Sequence, residues 1–460
     1  MTEVPPAAQR KQSLAERGTD VLLLVIFVLL CAEVFVYLIG MFAKNATVYS
    51  TGKDTFTHVD WINTYMMGKL ALSDASHKLY DAKTQLEWYN KVIFPEKITS
   101  CCFCQYPPFY AALFSVWTFL PLRLSFIAWN AFSMLLGSVG LFAASRASKA
   151  LSTAGSLLII MGALASFPSC DSAMNGELTW LFLFLYCMFY YGLARNRDII
   201  GGIALGLMTL KPHFFLIIFI AALISARQKL LIAGAATVAV LLLLSGCMVG
   251  WENVFGYPAV LLHAESSGVT SNLFPERMVC LRGPASVFLP RHATLLVGFL
   301  SFIFGIGLTV YVWWRALKKK TLSIEWAMAL SLMSLAVTSP HLHVYDCVLL
   351  ALPAIITLPT VRPTALLGFE PMSFRIWCLL MDSYPVFGWL AMILTPMVGK
   401  ATAPQWLIAM TSVNGVTCGL LSFYIYLLFH IALSVAGIMY ALKPNSSQDT
   451  SNAAAGTVPP

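Results

Sequence analysis

The sequence predicts an all-α polytopic membrane protein, a bundle of roughly twelve transmembrane helices with a long first extracytoplasmic loop. Three observations predict it. The chain is 58% hydrophobic and 11% charged, with a mean hydropathy of +0.76, whereas a soluble domain is nearer half apolar and a quarter charged. Apolar runs of about 17–25 residues, long enough to cross a bilayer as helix, recur towards the C-terminus. The alternation of a barrel strand is absent, so backbone groups in lipid must be satisfied within helices. The net charge of +8 is modest for 460 residues. Its basic residues sit in short connections, a topology signal rather than a nucleic-acid footprint. Membrane lipids are expected partners and nucleic acid is not.

In chain order, residues 1–20 are a polar, basic cytoplasmic segment carrying Arg10, Lys11 and Arg17. Val21–Ala43 is too long for a signal-peptide core and lacks a clear cleavage site, so it reads as an uncleaved first span. Residues 44–106 form the first outside loop. Within it, Thr64–Ser73 and Ala82–Val92 have helical composition, with Trp61, Tyr65, Trp88 and Tyr89 expected as interfacial anchors. Apolar segments follow at Pro107–Leu122, Leu124–Ala144, Leu151–Pro168, Leu178–Ala194, Ile199–Leu210, Phe214–Ala226 and Leu230–Gly250. A second polar outside loop, 251–291, precedes Ala293–Trp314, Leu322–Thr338 and Cys347–Leu358. Spans near Phe374–Val398 and Val416–Leu442 complete one transmembrane domain, 21–442, before a disordered cytoplasmic tail, 443–460.

The positive-inside rule puts Arg146, Lys149, Arg195, Arg197, Arg227, Lys229, Lys318–Lys320 and Arg362 in the cytoplasm. The polar elbows at 169–177, 211–213, 251–291 and 339–346 then fall outside, on the side of the first loop. Two full crossings at 107–122 and 124–144 would leave Arg146 outside. Pro107–Leu122 is short and ends at Pro121, so it is the segment expected not to cross fully. In the first loop, Cys101, Cys102 and Cys104 read as a disulfide in an oxidising compartment or, given further ligands, as part of a zinc site.

The polar residues at these elbows are the chemical candidates. Asp60 stands beside an apolar run among aromatics, where a carboxylate can act as general base towards a hydroxyl or remain a solvated loop acid; Asp54, Asp74 and Asp81 share that logic at greater distance. Asn175 and Glu177 open a helix, and either cap its first turn or meet sugar hydroxyls. Lys211 interrupts an apolar stretch, as a phosphate ligand or as a side chain that snorkels to the surface. Arg282, followed by Gly283-Pro284, offers a guanidinium suited to bidentate phosphate recognition or to a headgroup contact. Ser339–Asp346 is the densest cluster, with His341, His343, Tyr345 and Asp346 between two apolar runs. So many polar groups are costly to desolvate unless they line a wet cavity. His341 could bond a leaving phosphate or orient Asp60. A metal would need a turn to bring both imidazoles of His-x-His to one point, and none is expected.

The order of these motifs resembles glycosyltransferase family 87, in the GT-C superfamily of polyprenyl-phosphate-sugar-dependent transferases. An early outside Asp60 is followed by Tyr106-Pro107-Pro108, Asn175-Gly176-Glu177, the stretch Arg195–His213, Met278–Gly283 and Ser339–Asp346, over about residues 55–360. The resemblance implies a GT-C-like bundle in which Asp60 matches the catalytic acid of the first loop and His341 lies in the histidine-bearing motif near the active site. The family pattern usually has Gln where this chain has Glu177, and Gln is common where His213 stands.

The expected function is inverting transfer of a sugar, mannose by family, from a polyprenyl-phosphate donor to a lipid or glycan acceptor. Asp60 and His341 are the expected catalytic residues. Arg282, Lys211 and His343 are expected at the donor phosphate, and Glu177, Asn175, Tyr106 and Tyr345 at the substrate. No cofactor is expected. The expected location is a bacterial inner membrane with the active site facing the periplasm. Rival readings are a lipid-linked sugar flippase, which would favour internal repeats, and a ligase or polymerase using a lipid-diphosphate donor.

Overall fold

The computed structural model describes residues 60–99, 103–148, 153–164, 166–267 and 278–357, and among these the regular structure is helical apart from one isolated antiparallel bridge, Met278 to His343. The first span, the two C-terminal spans, both terminal segments, Asp54, Cys101 and Cys102 lie outside the described residues.

The described part of the first loop is compact. Helix α1 (Asp60–Ala71) and α2 (Ala82–Val92) pack on a small core of Ile62, Met66, Met67, Leu70, Leu79, Tyr89 and Ile93 that also takes Val249. Asp81 caps α2 by accepting from Thr84 N at 2.8 Å. Gln85 clamps the returning chain, donating to Cys104 O at 3.3 Å and accepting from Cys104 N at 2.9 Å. Trp61, Tyr65 and Tyr89 are therefore buried rather than interfacial anchors, and Trp88 alone of the four is half-buried. The cause is that α1 is apolar around most of its circumference, so it buries every face it can.

Pro108 starts α3 (Pro108–Phe114) at the position where proline costs a helix no hydrogen bond. The helix tightens to a 3-10 turn over Ser115–Phe119 and stops before Pro121. Its twelve residues reach about 18 Å, well short of a hydrocarbon layer about 30 Å thick.

Three helices among the described residues are long and apolar enough to cross a membrane: α4 (Leu122–Ser148), α10 (Gln228–Val249) and α13 (Arg291–Leu317). Large apolar side chains on α4 (Phe132, Leu135, Val139) and α13 (Leu296, Phe299, Phe304) face outward, which water would not tolerate over so long a stripe. Shorter helices pack among them: α5 (Thr153–Leu164), α6 (Phe167–Asn175), α7 (Thr179–Ala194), α8 (Asp198–Leu207), α9 (Pro212–Ser225), α11 (Trp251–Ser267), α12 (Arg282–Phe288), α14 (Ile324–Thr338) and α15 (Ala351–Thr357). The elbow expected over 169–177 is mostly helix α6, and much of the connection 251–291 is helix α11 and α12.

Close approach of helices needs small residues at the crossing. Gly137 of α4 seats Trp180 of α7, where a Cβ would lie 2.4 Å from the indole. The buried core runs from Trp61 and Trp129 through Phe182, Tyr186 and Phe214 to Trp313 and Leu352.

Candidate active site

Four elbows meet at the N-terminus of α1. Asp60, the first residue of α1, is half-buried, and the next residue, Trp61, is fully buried and stacks on Trp129 at 5.3 Å. The Trp129 indole donates to the carbonyls of Gly176 and Glu177 at 3.1 and 3.3 Å. Gly176 ends α6 in the left-handed conformation, φ +70°, and a Cβ there would lie 2.7 Å from Trp61 Cβ. A side chain would be strained by the backbone and would press on Trp61 Cβ and the Phe126 ring. This knot of two tryptophans and a glycine fixes the chain so that the buried Glu177 carboxyl comes within hydrogen-bonding reach of Asp60.

Glu177 does not cap a helix: the cap position of α7 is Leu178, with no side-chain bond. Burial first, and then the charge of Asp60, push the Glu177 carboxyl well above its ordinary range, with Lys211 pulling the other way. Tyr106 and Tyr345 border the same acids. Tyr106 stacks on Tyr110 at 4.1 Å, and its carbonyl accepts from Tyr80 Oη at 2.7 Å. Both phenols feel Asp60 and Glu177 electrostatically. Asn175 is engaged elsewhere, since its Nδ2 donates to Asp171 O at 2.9 Å and to Asp171 Oδ1 at 3.1 Å, one turn back in α6.

Lys211 joins these acids to a basic half. Its ammonium, 5% exposed, pairs with Asp346 Oδ1 at 3.1 Å, and Asp346 is 1% exposed. Thr179 Oγ1 donates to the same oxygen at 3.4 Å, and His343 N donates to Oδ2 at 3.2 Å. Burial alone lowers the affinity of Lys211 for its proton, but the carboxyls of Asp346, Glu177 and Asp60 reverse that, so it holds its proton more tightly than a free lysine. Beyond it, the His341 ring lies 6.3 Å from His213 and 4.7 Å from His343, and His343 stacks on Tyr345 at 5.3 Å. Burial, followed by the positive fields of His343, His213, Lys211 and Arg282, pushes the His341 imidazole well below its usual range. His341 Nδ1 and His213 Nε2 are buried with no hydrogen-bond partner. Arg282 is held there by its Nη1 bond to Pro340 O at 2.9 Å. The backbone pairs 278–281 with the histidine elbow, Val279 N to Leu342 O at 2.9 Å and Leu281 N to Val337 O at 2.8 Å. Among the described residues, no group of three or more His, Cys, Asp or Glu is arranged to hold a metal ion.

The sequence model of glycosyltransferase family 87 matches residues 103–340. The chain belongs to that family. It is a membrane glycosyltransferase, an enzyme with a sugar donor and an acceptor. A comparison with curated proteins finds no match. The family match takes in Glu177, Lys211 and Arg282, begins after Asp60 and ends one residue before His341, so the flanking acid and imidazole rest on the geometry.

Sequence reasoning named Asp60, Tyr106, Glu177, Lys211, Arg282, His341, His343 and Tyr345, and the structure gathers them. It gave Asp346 no role and did not see Thr179 or Trp129. A signal for Asp346 was present: a lysine in an apolar stretch needs a counter-ion, and the densest elbow supplies an acid.

Proposed function

We propose that this family member transfers a sugar, mannose, from a polyprenyl-phosphate donor to a lipid or glycan acceptor with inversion at the anomeric carbon. The reaction takes place on the extracytoplasmic face of a bacterial inner membrane. The observation that carries this reading is the polarity of the site: carboxyls cluster around Asp60, and beyond the Lys211–Asp346 ion pair the His343, His341 and His213 rings lie side by side with Arg282 bonded to the same elbow. An inverting transfer needs a base on the acceptor side and stabilisation of charge on the leaving-group side.

In this reading Asp60 accepts the proton of the acceptor hydroxyl as its oxygen bonds to the anomeric carbon. The bond from that carbon to the phosphate oxygen breaks, and its electron pair leaves with the phosphate. The phosphate departs as an anion and needs cations rather than a general acid. Arg282 and Lys211 supply that charge, Arg282 with the fork geometry that fits phosphate oxygens, and the His341 and His343 imidazoles offer hydrogen-bond donors beside it. Tyr106 and Tyr345 border the space where the sugar would lie.

The test is incubation of purified protein with polyprenyl-phosphate mannose, or with its lipid-diphosphate counterpart, and a membrane lipid extract. Products are read by mass spectrometry and their anomeric configuration by NMR. A mannosylated product of inverted configuration, formed from the monophosphate donor only, is expected. Product from the diphosphate donor alone would replace this reading with the ligase one. Movement of donor across vesicles without product would replace it with the flippase one.

A further inference from the structure

Asp60 and Glu177 face each other in a site that leaves little room for two negative charges. Glu177 is 4% exposed. Its position is set by the Trp129 bonds to the backbone of Gly176 and Glu177 and by the closure of Gly176 on Trp61. Trp61 is covalently next to Asp60, so the same packing that places one carboxyl places the other. Around the pair stand Lys211 from the start of α9, Asp346 from the turn before α15, Tyr106 and Tyr110 from the end of the first loop and α3, and Tyr345. Lys211 is the one cation among these groups, and its closest acid is Asp346 at 3.1 Å, with a further bond to that acid from Thr179. The cation is thus largely spent on a third carboxylate, leaving Asp60 and Glu177 to share what remains.

Resting on the reading of Asp60 as the base, we infer that Asp60 and Glu177 work as a proton-sharing pair in which Glu177 stays neutral through the catalytic cycle and donates a hydrogen bond to the Asp60 carboxylate. Two carboxyls at hydrogen-bonding distance cannot both ionise without strong repulsion, so the pair carries one proton over a wide range of pH. The more deeply buried member keeps it, a direction that burial and the charge of Asp60 both favour. Glu177 is then a positioning residue. Its O–H fixes one Asp60 oxygen and leaves the other to face the acceptor hydroxyl. The proton taken from the acceptor goes to Asp60, and Glu177 neither gains nor loses one. A glutamine amide at this position would donate the same bond without titrating.

This arrangement gives activity an alkaline limit. On the alkaline side Glu177 loses its proton, the pair becomes doubly negative, the orienting bond is lost and an anionic donor is repelled. The experiment is the pH dependence of mannose transfer from polyprenyl-phosphate mannose to a membrane lipid extract, for the intact protein and for Glu177→Gln, Glu177→Leu and Asp60→Asn. The intact protein is expected to lose activity on the alkaline side. Glu177→Gln is expected to lower the plateau by no more than about tenfold, roughly the worth of one hydrogen bond, and to remove the alkaline limb. Glu177→Leu lowers kcat by about tenfold to a hundredfold, as loss of a bond to a charged group does, with the KM for donor little changed. An alkaline limb that survives in Glu177→Gln would overturn the pair. Asp60→Asn separates the two failures: full activity there refutes the base reading itself, whatever Glu177 does. Infrared difference spectroscopy of the intact protein needs no active variant. A protonated-carboxyl carbonyl band is expected at neutral pH, lost at alkaline pH and shifted by hydrogen–deuterium exchange; its absence at neutral pH would also overturn the inference.

Discussion

Around Asp60, acids lie against acids; around Lys211, one acid meets one base, and the remaining basic groups crowd together. The acidic half is placed by tight packing, with Trp61 stacked on Trp129 and closed against Gly176. The basic half is placed by backbone pairing, since the bridge of Met278 to His343 and the bonds of Val279 and Leu281 lay one elbow along another. The two halves can yield to different degrees. A base must be oriented to within a fraction of an ångström of the proton it removes, and rigid aromatic packing suits that. A phosphate is held by charge over a broader range of geometry, and two paired loop segments are enough. Lys211 belongs to both halves, because its ammonium answers Asp346 while facing Asp60 and Glu177.

Substitutions in each half separate their roles. Asp60→Asn should lower transfer by about a hundredfold to ten-thousandfold, the usual worth of a general base, measured as initial rates at saturating donor. Lys211→Met should destabilise the protein by about 3–5 kcal/mol, because it leaves Asp346 buried without its ion partner. The double change Lys211→Met, Asp346→Leu should recover much of that stability without recovering activity, read by thermal unfolding in detergent and by transfer rates. Arg282→Lys should raise the KM for donor by about tenfold through loss of the guanidinium fork, with kcat changed far less. Gly176→Ala should cost about 1–2 kcal/mol from the left-handed backbone, and more if Trp61 cannot shift, and should lower kcat as the two acids separate. The smallest effect is expected far from the chemistry. Asp81→Ala should cost about 1 kcal/mol through loss of the α2 cap and leave transfer unchanged. The bonds from Thr84 hold the Asp81 carboxyl below its usual range. Its stabilisation is thus present at neutral pH and is lost as the pH falls through that lowered range.

Helices were legible where hydrophobicity and punctuation agree. Leu178–Ala194 and Leu230–Gly250 are helices within two residues of the expected bounds, because proline, glycine and charged residues mark the ends of uniform apolar runs. The short helical stretch within Pro107–Leu122 was legible for the same reason. The polar elbows misled where local composition hid a helix. Ser169–Glu177 is rich in small polar residues, yet Ser166 caps it by accepting from Ser169 N at 3.2 Å, and it folds as α6. The first loop misled more deeply. Its aromatics read as headgroup anchors, but Trp61 finds partners at positions 114, 117, 129 and 176, which only tertiary packing brings together. Of the site, the ionisable residues announced themselves by standing in apolar surroundings. Their pairing did not, because Lys211 and Asp346 are 135 positions apart and no local rule selects that acid over Asp60. Asn175 misled in the opposite direction, since its position beside Gly176 drew attention that its bonds to Asp171 do not support.

The division of labour between the two halves is tested most directly by measuring the affinity of polyprenyl-phosphate mannose for Asp60→Asn and for Arg282→Gln in the absence of acceptor. Donor affinity should stay close to that of the intact protein in Asp60→Asn and be about tenfold weaker in Arg282→Gln. Weak donor binding in Asp60→Asn together with unchanged binding in Arg282→Gln would contradict that division.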